Sequence, residues 1–197
     1  MAGLKPGYAA QQFRDSLAVK QAILDNDDLL GRIEHIAALT IDAYRAGNKV
    51  LIAGNGGSAA DAQHIAAEFV SRFSFDRPAL PALALTTDTS ILTAIGNDYG
   101  YETLFSRQLN ANAREKDIFV AISTSGNSPN ILHALHTAND LGLVTVGLTG
   151  GSGGKMAGLC EHCLVVPSSE TPRIQESHIV IGHILCWAVE QALFGKD

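Results

Sequence analysis

The chain has 197 residues, 46% of them hydrophobic and 17% charged, with a formal charge of −6. That length and balance suit one globular domain with a sizeable core and exclude a disordered chain. An acidic total with no Lys/Arg run also excludes the clustered cations that a nucleic-acid footprint requires.

The N-terminal Met-Ala-Gly-Leu-Lys-Pro-Gly-Tyr has no apolar signal-peptide core. Apolar stretches stop short of the ~20 residues that a membrane span needs, so a cytoplasmic location without membrane attachment is expected. From Ala9 to about Leu30, Phe13, Leu17, Ile23 and Leu24 recur at helical spacing, with Asp27 and Asp28 breaking the pattern. A second helix runs through Leu30, Ile33, Ile36, Ala37, Thr40 and Ile41 to a stop at Gly47. Two amphipathic helices ahead of any strand are a natural surface for packing against another subunit.

Val50 to Ala53 reads as a buried strand, Gly54 to Gly57 as a tight turn, and Ser58 onward as a helix. Free amides at such a helix start favour an anionic or polyhydroxylated ligand, and the glycines allow close approach. The same arrangement also serves in many α/β proteins merely to turn the chain. His64 and Glu68, four apart, share one helix face, where an ordinary surface pair is the plainer reading.

Ala82 to Leu85 is a second strand, Ser90 to Ile95 a short helix, and Gly96-Asn-Asp-Tyr-Gly100 a polar turn. Asn97 and Asp98 there fit turn chemistry and ligand binding equally. Glu102 to Leu109 is helical, and Asp117 to Ile122 a third strand, apolar throughout as a strand covered on both faces should be. It empties into Ser123-Thr-Ser-Gly-Asn-Ser128, with Pro129 at the first turn of the next helix. Hydroxyls at the carboxyl end of a parallel strand, with no nearby base, suit a phosphate to be held. One hydroxyl is expected to cap the helix. A serine nucleophile is disfavoured because the Gly-x-Ser-x-Gly elbow is missing.

A helix from Asn130 to Leu141, strands at Val144 to Leu148 and His162 to Val166, and a last helix opening at Thr171-Pro172 complete the pattern. Five apolar strands alternating with helices make one doubly wound parallel sheet over residues 1–197, with helices at about 9–47 preceding an α/β core at about 48–197. Cys160 and Cys163 have a spacing used for zinc or dithiol chemistry. With no second pair, and at a strand start, they read as two half-buried thiols. His183, amid Ile181, Ile184, Leu185 and Trp187, reads locally as a core histidine.

Four motifs in order, at 54–68, 96–101, 122–128 and 173–179 with the later His183, resemble the sugar isomerase (SIS) domain family, and within it the branch acting on seven-carbon sugar phosphates. The resemblance spans about Asp25 to Phe194. It implies that Ser123, Thr124, Ser125 and Ser128 hold the substrate's phosphate, and that Asn55, Gly56, Gly57, Asn97, Asp98 and Gln175 lie along the sugar, with Glu68 as base and His183 as acid. It also implies a zinc ion on His64, Glu68, Gln175 and His183, its role left open, and a homotetramer with sites at subunit interfaces. Proton transfer beside a carbonyl needs such an acid–base pair. A rival within the fold is a non-catalytic binding protein resembling the DnaA initiator-associating protein, which would have no reason to keep both Glu68 and His183.

Overall fold

The computed structural model describes residues 6–195. Five strands, β1 (Val50–Gly54), β2 (Ala82–Ala84), β3 (Ile118–Ile122), β4 (Val144–Gly150) and β5 (His162–Val166), form one parallel sheet in the order β2-β1-β3-β4-β5. Seven helices flank it: α1 (Tyr8–Leu24), α2 (Asp27–Arg45), α3 (Gly57–Val70), α4 (Thr89–Tyr99), α5 (Leu104–Asn112), α6 (Pro129–Asp140) and α7 (Thr171–Phe194). The doubly wound parallel architecture expected from the alternation of apolar runs and helices is the one observed.

Side chains alternate across a strand, so each strand feeds two cores. Val50, Ile52, Ile118, Val120 and Ile122 point to the side covered by α2, α3 and α7, where they meet Ile33, Ile36, Ile65, Phe69 and Ile181. Leu51, Ala53, Phe119 and Ala121 point to the other side, against Leu109 of α5 and Ile131 and Leu135 of α6. The central strands are buried on both faces, which is why they read as unbroken apolar runs. The chain order reverses between β1 and β3, which pair from Val50↔Ile118 to Gly54↔Ile122. The loops leaving their carboxyl ends therefore open into one crevice.

Several element ends differ from the sequence-based expectation. Asn26, whose Oδ1 accepts from the Leu29 amide, starts α2 at Asp27, so Asp27 and Asp28 fill its first turn rather than merely breaking α1. Asp88 caps α4 through the Ile91 amide, and the helix runs to Tyr99 before Gly100 turns the chain at φ 90°. Asn97 and Asp98 are thus helical rather than part of a turn. Gly96 is accommodated inside that helix because it faces only Leu104 at van der Waals distance.

Helix α7 corrects the expectation about apolar length. Its 24 residues include a window with mean hydropathy 1.3, enough by length and composition to cross a membrane. Here its apolar side is a core element, with Ile174, Ile181, Leu185 and Val189 buried. The fully buried Glu190 on it accepts hydrogen bonds from the Phe73 and Ser74 amides at 2.8 and 2.6 Å and from Arg77 Nε at 3.2 Å. Helix α1, by contrast, buries no residue, and Phe13, Leu17 and Leu24 are each more than half exposed.

His178 is buried between α7 and β4, its Nε2 donating to the Thr149 carbonyl at 3.1 Å. Burial lowers its pKa to about 4, against the smaller opposing effect of that hydrogen bond. The unfolded chain binds a proton near pH 6.5 that the folded chain refuses until about 4, so stability is full above this window and falls as pH drops through it. Glu190 and Asp117 act lower. Burial alone would raise both carboxyls, but their hydrogen-bond donors outweigh it and hold them below the ordinary range. Urea unfolding is therefore expected to show a loss of roughly 2–3 kcal/mol between pH 6.5 and 4.5 that is absent in His178→Gln; an equal loss in the variant would contradict this assignment.

Candidate active site

The last turns of α3 bring the first two residues together. His64 and Glu68, one helical turn apart, have Nε2 and Oε1 at 2.9 Å. His183 of α7 reaches the same point, its Nε2 3.4 Å from His64 Nε2, with the two rings edge to face at a centroid separation of 5.0 Å. All three donor atoms lie within 4.8 Å of one another. His183 is therefore no core histidine: it is half-buried at this meeting point, with the Phe73 ring 5.5 Å from its own.

The convergence depends on how closely α3 and α7 approach. A Cβ at Gly182 would stand 2.6 Å from Ile65 Cδ1, so any larger residue would have to displace the Ile65 side chain or part the helices where His64 and His183 sit next to that contact. A second tie holds the C-terminal end of α3. Arg77 donates to the Glu68 carbonyl at 2.7 Å and the Phe69 carbonyl at 2.6 Å while pairing with buried Glu190 of α7. These carbonyls have no partner further along the helix, so Arg77 caps it and fixes the backbone of Glu68.

Gln175 sits elsewhere. It packs against Gly57, where α3 begins: a Cβ at Gly57 would stand 2.5 Å from Gln175 Nε2. The two helices run parallel, so Gln175 lies about 12 Å along α7 from His183. Within one chain it does not join the His64, Glu68 and His183 cluster.

The loops of the crevice are built from small and polar groups. Gly56 adopts φ 55° and ψ −120° at the β1–α3 turn, a conformation that favours glycine. Asn55 and Asn130 exchange side-chain hydrogen bonds at 2.9 and 2.8 Å, and Tyr101 donates to Asn55 Oδ1 at 3.2 Å. This amide pair ties the β1 loop to the start of α6. Ser123 Oγ and Ser128 Oγ are 2.9 Å apart, and Ser125 Oγ accepts from the Asn127 amide. Ser128, the cap residue of α6, makes no side-chain cap, so the expectation that a hydroxyl would serve that purpose is not met; Pro129 has no amide N–H, and the Ile131 amide donates instead to the Ser128 carbonyl at 3.0 Å. Gly126, at φ 65°, lies tightly against the Gly153 carbonyl, which folds the segment after β4 over the loop. Gly54, Asn55, Gly56, Tyr101 and Gly96 border a cavity of about 400 Å³. Asn97 and Asp98 are exposed beside it and hydrogen-bond to each other at 2.7 Å.

Sequence reading missed Asn130, Tyr101, Arg77 and Glu190, which act only through contacts distant in the chain. It also missed Asp61, half-buried one turn before His64 with Oδ2 unpartnered; burial raises its carboxyl against the lowering effect of His64. The donor set of His64, Glu68 and His183, two imidazoles and a carboxylate, fits zinc.

Comparison with known proteins gives a consistent result. The SIS domain family matches residues 13–150. A phosphoheptose isomerase from Aneurinibacillus thermoaerophilus is 66% identical over 95% of this chain and 94% of its own. A solved phosphoheptose isomerase from Neisseria gonorrhoeae superposes with a TM-score of 0.87 at 42% identity, covering 93% of this chain and 97% of that one. The sugar isomerase domain of an RpiR transcription factor from Sphaerobacter thermophilus, at 18% identity and a TM-score of 0.62 over 94% of this chain and 91% of that one, shares the fold alone.

Two substitutions test the helix contact. Gly182→Ala is expected to destabilise by about 1–3 kcal/mol through overpacking, with part recovered by adding Ile65→Val. Glu190→Ala, which leaves Arg77 buried and unpaired, is expected to cost about 3–5 kcal/mol. Denaturant unfolding measures both. A neutral Gly182→Ala would show that the helices have room to spare.

Proposed function

Because the chain belongs to the SIS domain family and, within it, to the phosphoheptose isomerases, which makes it a sugar-phosphate aldose–ketose isomerase, we propose that it interconverts D-sedoheptulose 7-phosphate and D-glycero-D-manno-heptose 7-phosphate, as a cytoplasmic enzyme of heptose biosynthesis for lipopolysaccharide. The observation that carries this reading is the convergence of Glu68 and His183 on two helices, α3 and α7, whose other ends border a crevice lined with hydroxyls.

In the proposed reaction the phosphate rests on Ser123, Thr124, Ser125 and Ser128 at the start of α6, where the helix dipole favours negative charge. The glycine turn at Gly56 and Gly57, with Asn55, Gln175, Asn97 and Asp98, lies along the hydroxylated chain. Glu68 removes a proton from C1 of the ketose; as the C1–C2 double bond of the enediol forms, the carbonyl electrons move to O2, which takes a proton from His183. Glu68 then returns its proton to C2 while O1 gives its proton to His183, which restores the acid as the C1 aldehyde forms. Each step moves a proton and leaves the carbon count unchanged.

A zinc ion on His64, Glu68 and His183 would supply Lewis-acid polarisation of the carbonyl oxygen. The same nitrogen of His183 cannot hold metal and deliver a proton, so zinc binding and the acid role use this side chain in different states. The distance of Gln175 from the cluster supports a reading in which Gln175, with the crevice it borders, meets the Glu68 and His183 of a neighbouring subunit in a homotetramer. The exposed apolar face of α1, with Val180, Ile184 and Trp187 exposed on α7, supports the same assembly.

With sedoheptulose 7-phosphate as substrate, Glu68→Gln and His183→Ala are expected to fold as wild type and to lose about 10²-fold or more in kcat. Ser125→Ala should act mainly through KM. Mixing Gln175→Ala subunits with Glu68→Gln subunits should recover activity that neither has alone. Wild-type turnover persisting in Glu68→Gln would remove the base assignment, and an inert wild type supplied with zinc would remove the substrate.

A further inference from the structure

We propose that Cys160 and Cys163 form a reversible dithiol–disulfide site, separate from the isomerase centre, that exchanges with low-molecular-weight disulfides. Cys163, the second residue of β5, stands opposite Gly147 of β4, and Cys160 lies just before the strand. A Cβ at Gly147 would stand 2.6 Å from Cys160 Sγ and 3.2 Å from Cys163 Sγ, so both sulfurs occupy the space that the missing side chain leaves. Both residues are partly exposed, whereas Cys186 is buried. Among the described residues, no His, Cys, Asp or Glu joins the two sulfurs in a cluster of three at metal-ligand distance. The pair therefore has the geometry of a dithiol rather than a metal cage.

The two sulfurs are not equivalent. The hydrogen bond from Cys160 lowers the Cys163 pKa, burial opposes this, and the Arg32 guanidinium of α2 adds to the lowering. Donating that bond raises Cys160, as do burial and the neighbouring thiolate. Cys163 is then the attacking thiolate and Cys160 the resolving thiol. Cys163 Sγ attacks one sulfur of a disulfide RS–SR, forming a mixed disulfide and releasing RS⁻. Cys160, losing its proton, attacks Cys163 Sγ and expels the second RS⁻. Two protein thiols and one RS–SR become one protein disulfide and two RSH, and the oxidant is the small disulfide itself.

Glutathione disulfide is the probe, applied to the native full-length protein before alkylation, intact-mass measurement and peptide mapping. The expected product is a Cys160–Cys163 disulfide, reversed by excess dithiothreitol, with Cys186 alkylated only after denaturation. In Cys160→Ser one glutathione should remain on Cys163. In Cys163→Ser the adduct on Cys160 should form about tenfold more slowly or less. Wild-type protein that keeps both thiols free in excess glutathione disulfide would overturn the proposal, as would equal adduct rates in the two variants. None of these readouts uses isomerase activity, so the result is independent of the substrate assignment.

Discussion

The close approach of α3 and α7 at Ile65 and Gly182 is the contact on which the candidate site depends. Helices of ordinary side chains pack with axes about 8–10 Å apart, and a glycine at the crossing permits the near end of that range. One residue to either side of this contact stand His64 and His183, so the separation of the helices sets the separation of the two imidazoles. Glu68 follows one turn along α3, where the Arg77–Glu190 pair locks the helix end to α7. The ion pair is buried and fully hydrogen-bonded, an arrangement that fixes geometry more than it adds stability.

The sheet supplies the other half of the site. Reversal of the strand order between the parallel strands β1 and β3 puts a glycine turn and a hydroxyl loop side by side at the carboxyl ends of two neighbouring strands, and the Asn55–Asn130 amide pair joins them. The two halves differ in character. The crevice presents hydroxyls and side-chain amides that do not titrate near neutral pH, while the helix pair carries the one cluster of three His, Cys, Asp or Glu side chains at metal-ligand distance among the described residues. Gln175 lies at the crevice end of α7 and His183 further along the same helix, so α7 spans both.

Much of this was legible in the sequence. Apolar runs of strand length alternating with helical periodicity gave the parallel sheet, because strands covered on both faces carry no polar alternation to confuse the reading. The i, i+4 spacing placed His64 and Glu68 together without a structure. What one stretch could not show was the company of His183: its apolar neighbours in sequence belong to other faces of α7, and its actual neighbours, His64 and Phe73, come from more than a hundred residues earlier. Asn97 and Asp98 looked like turn residues because of their type, but the Asp88 cap and the next glycine set the helix end beyond them. The Ser123–Ser128 pairing, which leaves α6 uncapped, depends on a side-chain hydrogen bond that composition cannot reveal. With no second cysteine pair in the sequence, Cys160 and Cys163 read as two half-buried thiols, and the space over Gly147 that joins the sulfurs comes only from the register of β4 against β5.

The central claim is that one chain supplies both the carboxylate and the imidazole of each acid–base pair. Hybrid oligomers made by unfolding and refolding Glu68→Gln and His183→Ala chains together test it directly, read as turnover of sedoheptulose 7-phosphate. If both groups come from the same chain, no site in any hybrid holds an intact pair, and the mixture should be as inactive as its parents. Recovery of activity on mixing would show that the pair is assembled across subunits and would contradict the account.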